Sequence, residues 1–90
     1  MRFEWDHEKA RTNAVQHGIT FEEAATVFGD PLELTISDPD HSSEEDRFIS
    51  IGSSVRGRLL VVGFTERRGK IRVIFARRVS ARERREYEEA

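Results

Sequence analysis

The residues with the most capacity for chemistry crowd into the last third of this chain. Between positions 56 and 85 there are 11 basic residues against 2 acidic ones, a net +9. All but Lys70 are arginine: Arg56, Arg58, Arg67, Arg68, Arg72, Arg77, Arg78, Arg82, Arg84 and Arg85. A guanidinium is a planar fork of donors that matches two phosphate oxygens at once, so such a set points to a phosphorylated polyanion. Positions 1–55 carry 4 basic and 12 acidic residues, a net −8, and the whole chain comes to −2. The plainer alternative is that the acidic and basic parts neutralise one another on folding.

Other chemistries find little support. There is no cysteine, so disulfides and thiolate metal sites are excluded, in keeping with a reducing, cytoplasmic setting. His7, His17 and His41 lack metal-ligand spacing, and no cofactor is called for. No glycine-rich phosphate loop and no Ser-His-Asp pattern is present. No apolar run reaches membrane-spanning length, and "MRFEWDHEKA" is charged from its second residue, unlike a signal peptide.

Ninety residues make one domain, 1–90, with a small core. "WDHEKARTNAVQHG" reads as a helix started by Asp6 and ended by Gly18, with Ala10, Asn13, Ala14 and His17 on one face. "TFEEAATVFGDP" reads as a second, short helix, with Thr20 and Glu23 at capping-box spacing and Gly29 as its stop. "LELTISD" alternates Leu32, Leu34 and Ile36 with polar residues, the pattern of a strand with one buried face. "PDHSSEED" is a polar loop. "RFISIGSS", "RLLVVGFTE" and "KIRVIFAR" are three further strands, the last two joined by the tight turn "RRG". Ser80 with Glu83 then starts a last helix. The expected fold is α+β: two N-terminal helices, a four-stranded antiparallel meander and a C-terminal helix, with helices covering one face of the sheet.

Strand alternation places basic residues at both ends of the last hairpin. Arg67 lies by the turn, and Arg77 and Arg78 lie near the strand start that holds Arg58. Trp5 and Tyr87, the sole residues of their types, are candidates for stacking on a base. Packing of the first helix on the sheet is the ordinary role for Trp5. His17 is a candidate acid or base, or a helix C-terminal residue that favours the dipole. Arg84 fits a solvated helix face.

The ordered segments "WDHEKARTNAVQHGITFEEAATVFGDP", "EEDRFISIG", "LLVVGFTERRGKIRVIFARR" and "ARERREY" resemble the BrnT toxins of type II toxin–antitoxin systems over about residues 3–87. The chain departs from that family's usual residues at His7, Gln16 and Phe75. The resemblance implies a RelE-like fold and a small RNA-cleaving toxin that arrests growth. It also implies a BrnA-like ribbon-helix-helix antitoxin that neutralises it and meets DNA on its behalf. The chemistry that then fits is metal-independent attack of a ribose 2′-hydroxyl on the adjacent phosphate. Under that reading Arg67 and Arg77 hold the phosphate, Glu66 or His17 is the base, and His17 or Tyr87 the acid. Arg58, Lys70, Arg72, Arg78 and Trp5 are the expected RNA contacts. A non-catalytic RNA- or protein-binding module of the same fold is the alternative.

Overall fold

In a computed structural model, which describes residues 1–38 and 46–90, the chain builds one five-stranded sheet with three helices. The polar stretch 39–45, with His41, lies outside the described residues. The strands are β1 (Arg2–Glu4), β2 (Leu34–Ser37), β3 (Arg47–Ser53), β4 (Leu59–Arg67) and β5 (Lys70–Arg78). The helices are α1 (His7–His17), α2 (Phe21–Ala25), which runs on into a 3-10 turn over Thr26–Gly29, and α3 (Ala81–Glu89). No helix among the described residues is long and apolar enough to cross a membrane.

The expected meander is present: β2 to β5 pair antiparallel in succession. The sheet has one strand more than expected, because β1 adds to the far side of β5 in parallel, with Phe3 opposite Ile71. Three residues are too few for an alternation signal, and their partner lies almost seventy positions away in the chain.

Local signals explain the helix ends. The Asp6 carboxylate accepts from the N–H groups of Glu8 and Lys9 at 2.8 and 3.1 Å, and Gly18 closes α1 in the left-handed region at φ 70°. Thr20 caps α2 by accepting from the Glu23 N–H at 3.1 Å. The reciprocal half of that box is missing, because the Glu23 carboxylate turns to Arg58 and Ser54. Ser80 and Glu83 form the complete box at the start of α3. The β4–β5 hairpin turns on Arg68 and Gly69, both at positive φ (52° and 76°), the geometry whose twist suits a two-residue loop.

One face of the sheet carries the core. Ile19, Phe21, Ala24 and Val27 pack on Leu60, Val62, Val73 and Ala76. Phe28 is edge-on to Phe64 at 4.9 Å, and Trp5 is edge-on to Phe21 at 6.0 Å. Asn13 sits at the rim of this core. β1 covers the outer edge of β5 only as far as Arg72. Beyond it, the Asn13 side chain donates to the Ala76 carbonyl (2.8 Å) and accepts from the Ala76 N–H (3.1 Å), as a neighbouring strand would. Its amide nitrogen also donates to the Ile19 carbonyl at 3.0 Å. Asn13 is therefore the buried residue of α1, while His17, expected on the same face, is exposed.

The other face is partly open, and the alternating leucines and isoleucine of the second segment lie on it. Leu32 and Ile36 are 68% and 58% exposed, contrary to the buried face that their spacing suggests. The reason is position: β2 is an edge strand, away from α1 and α2. α3 crosses this face at the end where β5 finishes. Its half-buried Glu83 takes the Arg77 guanidinium in a two-pronged ion pair at 2.8 and 2.9 Å. One turn on, the Tyr87 hydroxyl donates to Asp30 at 2.7 Å. Hydrogen bonding to Arg77 holds the Glu83 carboxyl at about 2, well below its ordinary value.

Replacing Asn13 with alanine should lower stability by about 3 kcal/mol, because buried backbone groups lose their partner. The urea midpoint should fall at unchanged slope, and Asn13→Asp should not rescue it, since a carboxylate cannot donate to the two carbonyls. A loss below about 1 kcal/mol would show that the rim tolerates an open strand edge. The Arg77–Glu83 pair contributes stability above the unfolded carboxyl value near 4.5 and loses it as pH falls towards about 2. Glu83→Gln should therefore lower Tm by about 4–8 °C at pH 7, for a pair worth about 1 kcal/mol. That difference should narrow as pH falls below 4.5 and close near pH 2, and a gap that is unchanged there would refute the assignment.

Candidate functional site

The strand register decides which cations meet. Arg77 lies opposite Val61, six residues along β4 from Arg67, which is opposite Lys70. At strand rise this separates the two arginines by about 20 Å, too far to hold one phosphate. The candidate residues thus divide between two ends of the sheet.

At the end where β5 finishes stand Arg58, Arg77, Arg78, His17 and Tyr87. Two of the arginines serve the fold. Arg58 is forked onto the nearly buried Glu23, its Nε donating to Oε2 at 2.9 Å and Nη2 to Oε1, while the Ser54 hydroxyl donates to the same carboxylate at 2.7 Å. The Arg58 hydrogen bond, then that of Ser54, pulls the Glu23 carboxyl below its usual range. Arg77 is forked onto Glu83 in the same way. Arg78 is exposed. Tyr87 holds its proton more tightly than a free tyrosine because its hydroxyl hydrogen-bonds Asp30. His17 lines a shallow depression of about 300 Å³ with Gln16 and Phe75. Trp5 packs against the core rather than standing out for a base.

The hairpin end is different. Thr65 lies opposite Arg47 on one side and Arg72 on the other, and Arg72 lies opposite Glu4. Paired residues share a face, so Arg47, Thr65, Arg72 and Glu4 form a row across four adjacent strands on the side away from the core. One step further, Arg67 and Lys70 form the next pair on that side. Glu4 bridges this group, 3.0 Å from Arg72 and 3.9 Å from Lys70. A hollow of about 500 Å³ lies here, lined by Glu4, Arg67, Arg68 and Lys70. The Thr65 side chain is buried, its hydroxyl donating to the Asp46 carbonyl at 2.6 Å, which ties the start of β3 to the row. Glu66 lies opposite Ile71 and so takes the other side of the strand from Arg67.

Arg47 was not singled out from the sequence, although it stands in the segment "EEDRFISIG". Its value depends on being opposite Thr65, and the β3–β4 register is not readable from composition. Chemically, the row can take an anionic backbone: the guanidinium groups of Arg47 and Arg72 share one face on either side of Thr65, with the Glu4 carboxylate at its β1 end. Among the described residues no three His, Asp or Glu side chains are grouped to hold a metal ion.

Comparison with known proteins agrees with this architecture. The chain is similar to the crystal structure of the Brucella abortus ribonuclease toxin BrnT, with a TM-score of 0.66 and 23% identity, over 89% of this chain and 97% of that one. At that identity the likeness speaks for the fold. No curated protein matches the chain. The family model described as the ribonuclease toxin BrnT of type II toxin–antitoxin systems matches residues 5–83, nearly the whole domain, and the chain belongs to that family.

Proposed function

We propose that this chain is a metal-independent endoribonuclease whose RNA backbone lies on the open face of the sheet, over Arg47, Arg67, Lys70 and Arg72. The observation that carries this reading is the row Arg47–Thr65–Arg72, which aligns cations of two strands on either side of β4. In 2′-hydroxyl attack, negative charge builds on the phosphorane oxygens. Fixed guanidinium groups stabilise that charge without reorganising at the moment of reaction. Arg77 and Arg58, already forked onto carboxylates, are assigned to the fold instead. Family membership supports a cognate antitoxin as the partner that neutralises the toxin, and we assign it to the BrnA-like ribbon-helix-helix type.

One observation favours the rival reading, an RNA-binding module without cleavage. Neither proposed base belongs to the row: Glu66 is on the opposite face and His17 is at the far end of α1. Charge stabilisation alone must then supply most of the acceleration, with proton transfers left to water.

The test is cleavage of an end-labelled RNA by purified protein in EDTA. Arg47→Ala and Arg72→Ala should each lower the rate about 10²–10³-fold while Tm changes little. Arg78→Ala, at the other end, should stay within about twofold. Full activity in Arg72→Ala would remove the row from the site. Cleavage that stops in EDTA would overturn the metal-independent reading. Salt-sensitive RNA binding by a folded protein that never cleaves would establish the binding module instead.

A further inference from the structure

Beside the cationic row lies a second feature of the open face that the cleavage chemistry leaves unused. β5 carries a bulge: Val73 is opposite Phe64 and Phe75 is opposite Gly63, so Ile74 is an extra residue. The bulge puts Phe75 on the open face, in line with Arg72. Their partners Gly63 and Thr65 are two residues apart on β4, about 7 Å along the strand. The Phe75 ring lies over Gly63, occupying the space that any side chain there would fill: a Cβ would fall 2.1 Å from a ring carbon. The ring is half-buried and, with Ile74 of β5, faces Glu8, Lys9, Thr12, Gln16 and His17 of α1 around the depression of about 300 Å³.

We infer that this depression is a nucleobase subsite, in which a base of single-stranded RNA stacks on Phe75 while Gln16 hydrogen-bonds its edge. The inference rests on the RNA reading above and adds to it a place for the base beside the phosphate. An aromatic ring stacks on any base, so Phe75 supplies affinity without choice. A primary amide has both a donor and an acceptor, so an exposed Gln16 at the rim supplies the choice. Arg72 is one step along the same face, so a single nucleotide reaches both, its phosphate to the guanidinium and its base to the ring. Of the two stacking candidates in the sequence, Trp5 is committed to Phe21 and Tyr87 to Asp30.

The experiment measures binding apart from cleavage. Fluorescein-labelled hexanucleotides of 2′-O-methyl A, C or U cannot be attacked by their own 2′-oxygen. Phe75→Ala should weaken binding about 5- to 100-fold, and Phe75→Tyr should retain it. The salt dependence should be unchanged in Phe75→Ala and shallower in Arg72→Ala, because stacking releases no counterions. Gln16→Ala should alter the ranking of the A, C and U probes. A probe with abasic sugars should bind the native protein at least as weakly as the intact probe binds Phe75→Ala, and that variant should lose much less with it than the native protein does.

Undiminished affinity in Phe75→Ala, or an equal loss for intact and abasic probes, would overturn the subsite while leaving the cationic row in place. Failure of the native protein to bind any of the three probes would overturn the RNA reading itself.

Discussion

The structure depends on how the outer edge of β5 is closed. A central strand must satisfy hydrogen-bonding groups on both sides, and buried groups left unpaired are costly. β4 serves one side of β5 except at the bulged Ile74, but β1 serves the other only over Lys70–Arg72. The Asn13 amide completes the edge at Ala76 and, through Ile19, fixes the turn that leads into α2. Thus one side chain sets the position of α1 beside the sheet and delivers α2 to the core face. It also keeps Gln16 and His17, one turn further on, beside the open face.

The arginines that dominate the C-terminal third have two distinct uses. Arg58 and Arg77 are structural, each forked onto one carboxylate: Arg58, beside the start of β4, reaches back to α2, and Arg77 fastens the following helix, α3, across the sheet. Partly buried two-pronged pairs of this kind fix orientation more than they add stability. The residues around the hairpin instead gather positive charge on a surface with Glu4 between them. The charge asymmetry of the sequence is therefore only partly a binding signal. Neutralisation is realised by Arg58 and Arg77, and the cations around the hairpin are the ones left to the polyanion reading.

Much of the fold was legible because its signals are local. Asp6, Gly18, Thr20, Ser80 and Glu83 mark helix ends through hydrogen bonds to neighbours two to four residues away. The meander follows from short connections. Leu32 and Ile36 misled because alternation reports that a face differs from its opposite, not that anything covers it. β1 was missed because its signal consists entirely of a distant partner.

The sequence by itself determined the helix limits, the four antiparallel strands, the absence of thiol chemistry and the concentration of arginine near one hairpin. The BrnT-like order of motifs was also readable in it. Only the tertiary structure decided which arginines share a face. Register separated Arg67 from Arg77, brought Arg47 level with Arg72, sent Glu66 to the opposite side, and set Phe75 over Gly63. The physical reason is that side chains alternate at every residue along a strand. A shift of one position in pairing, or one bulged residue, moves a side chain from one face to the other, and neither composition nor local spacing records it.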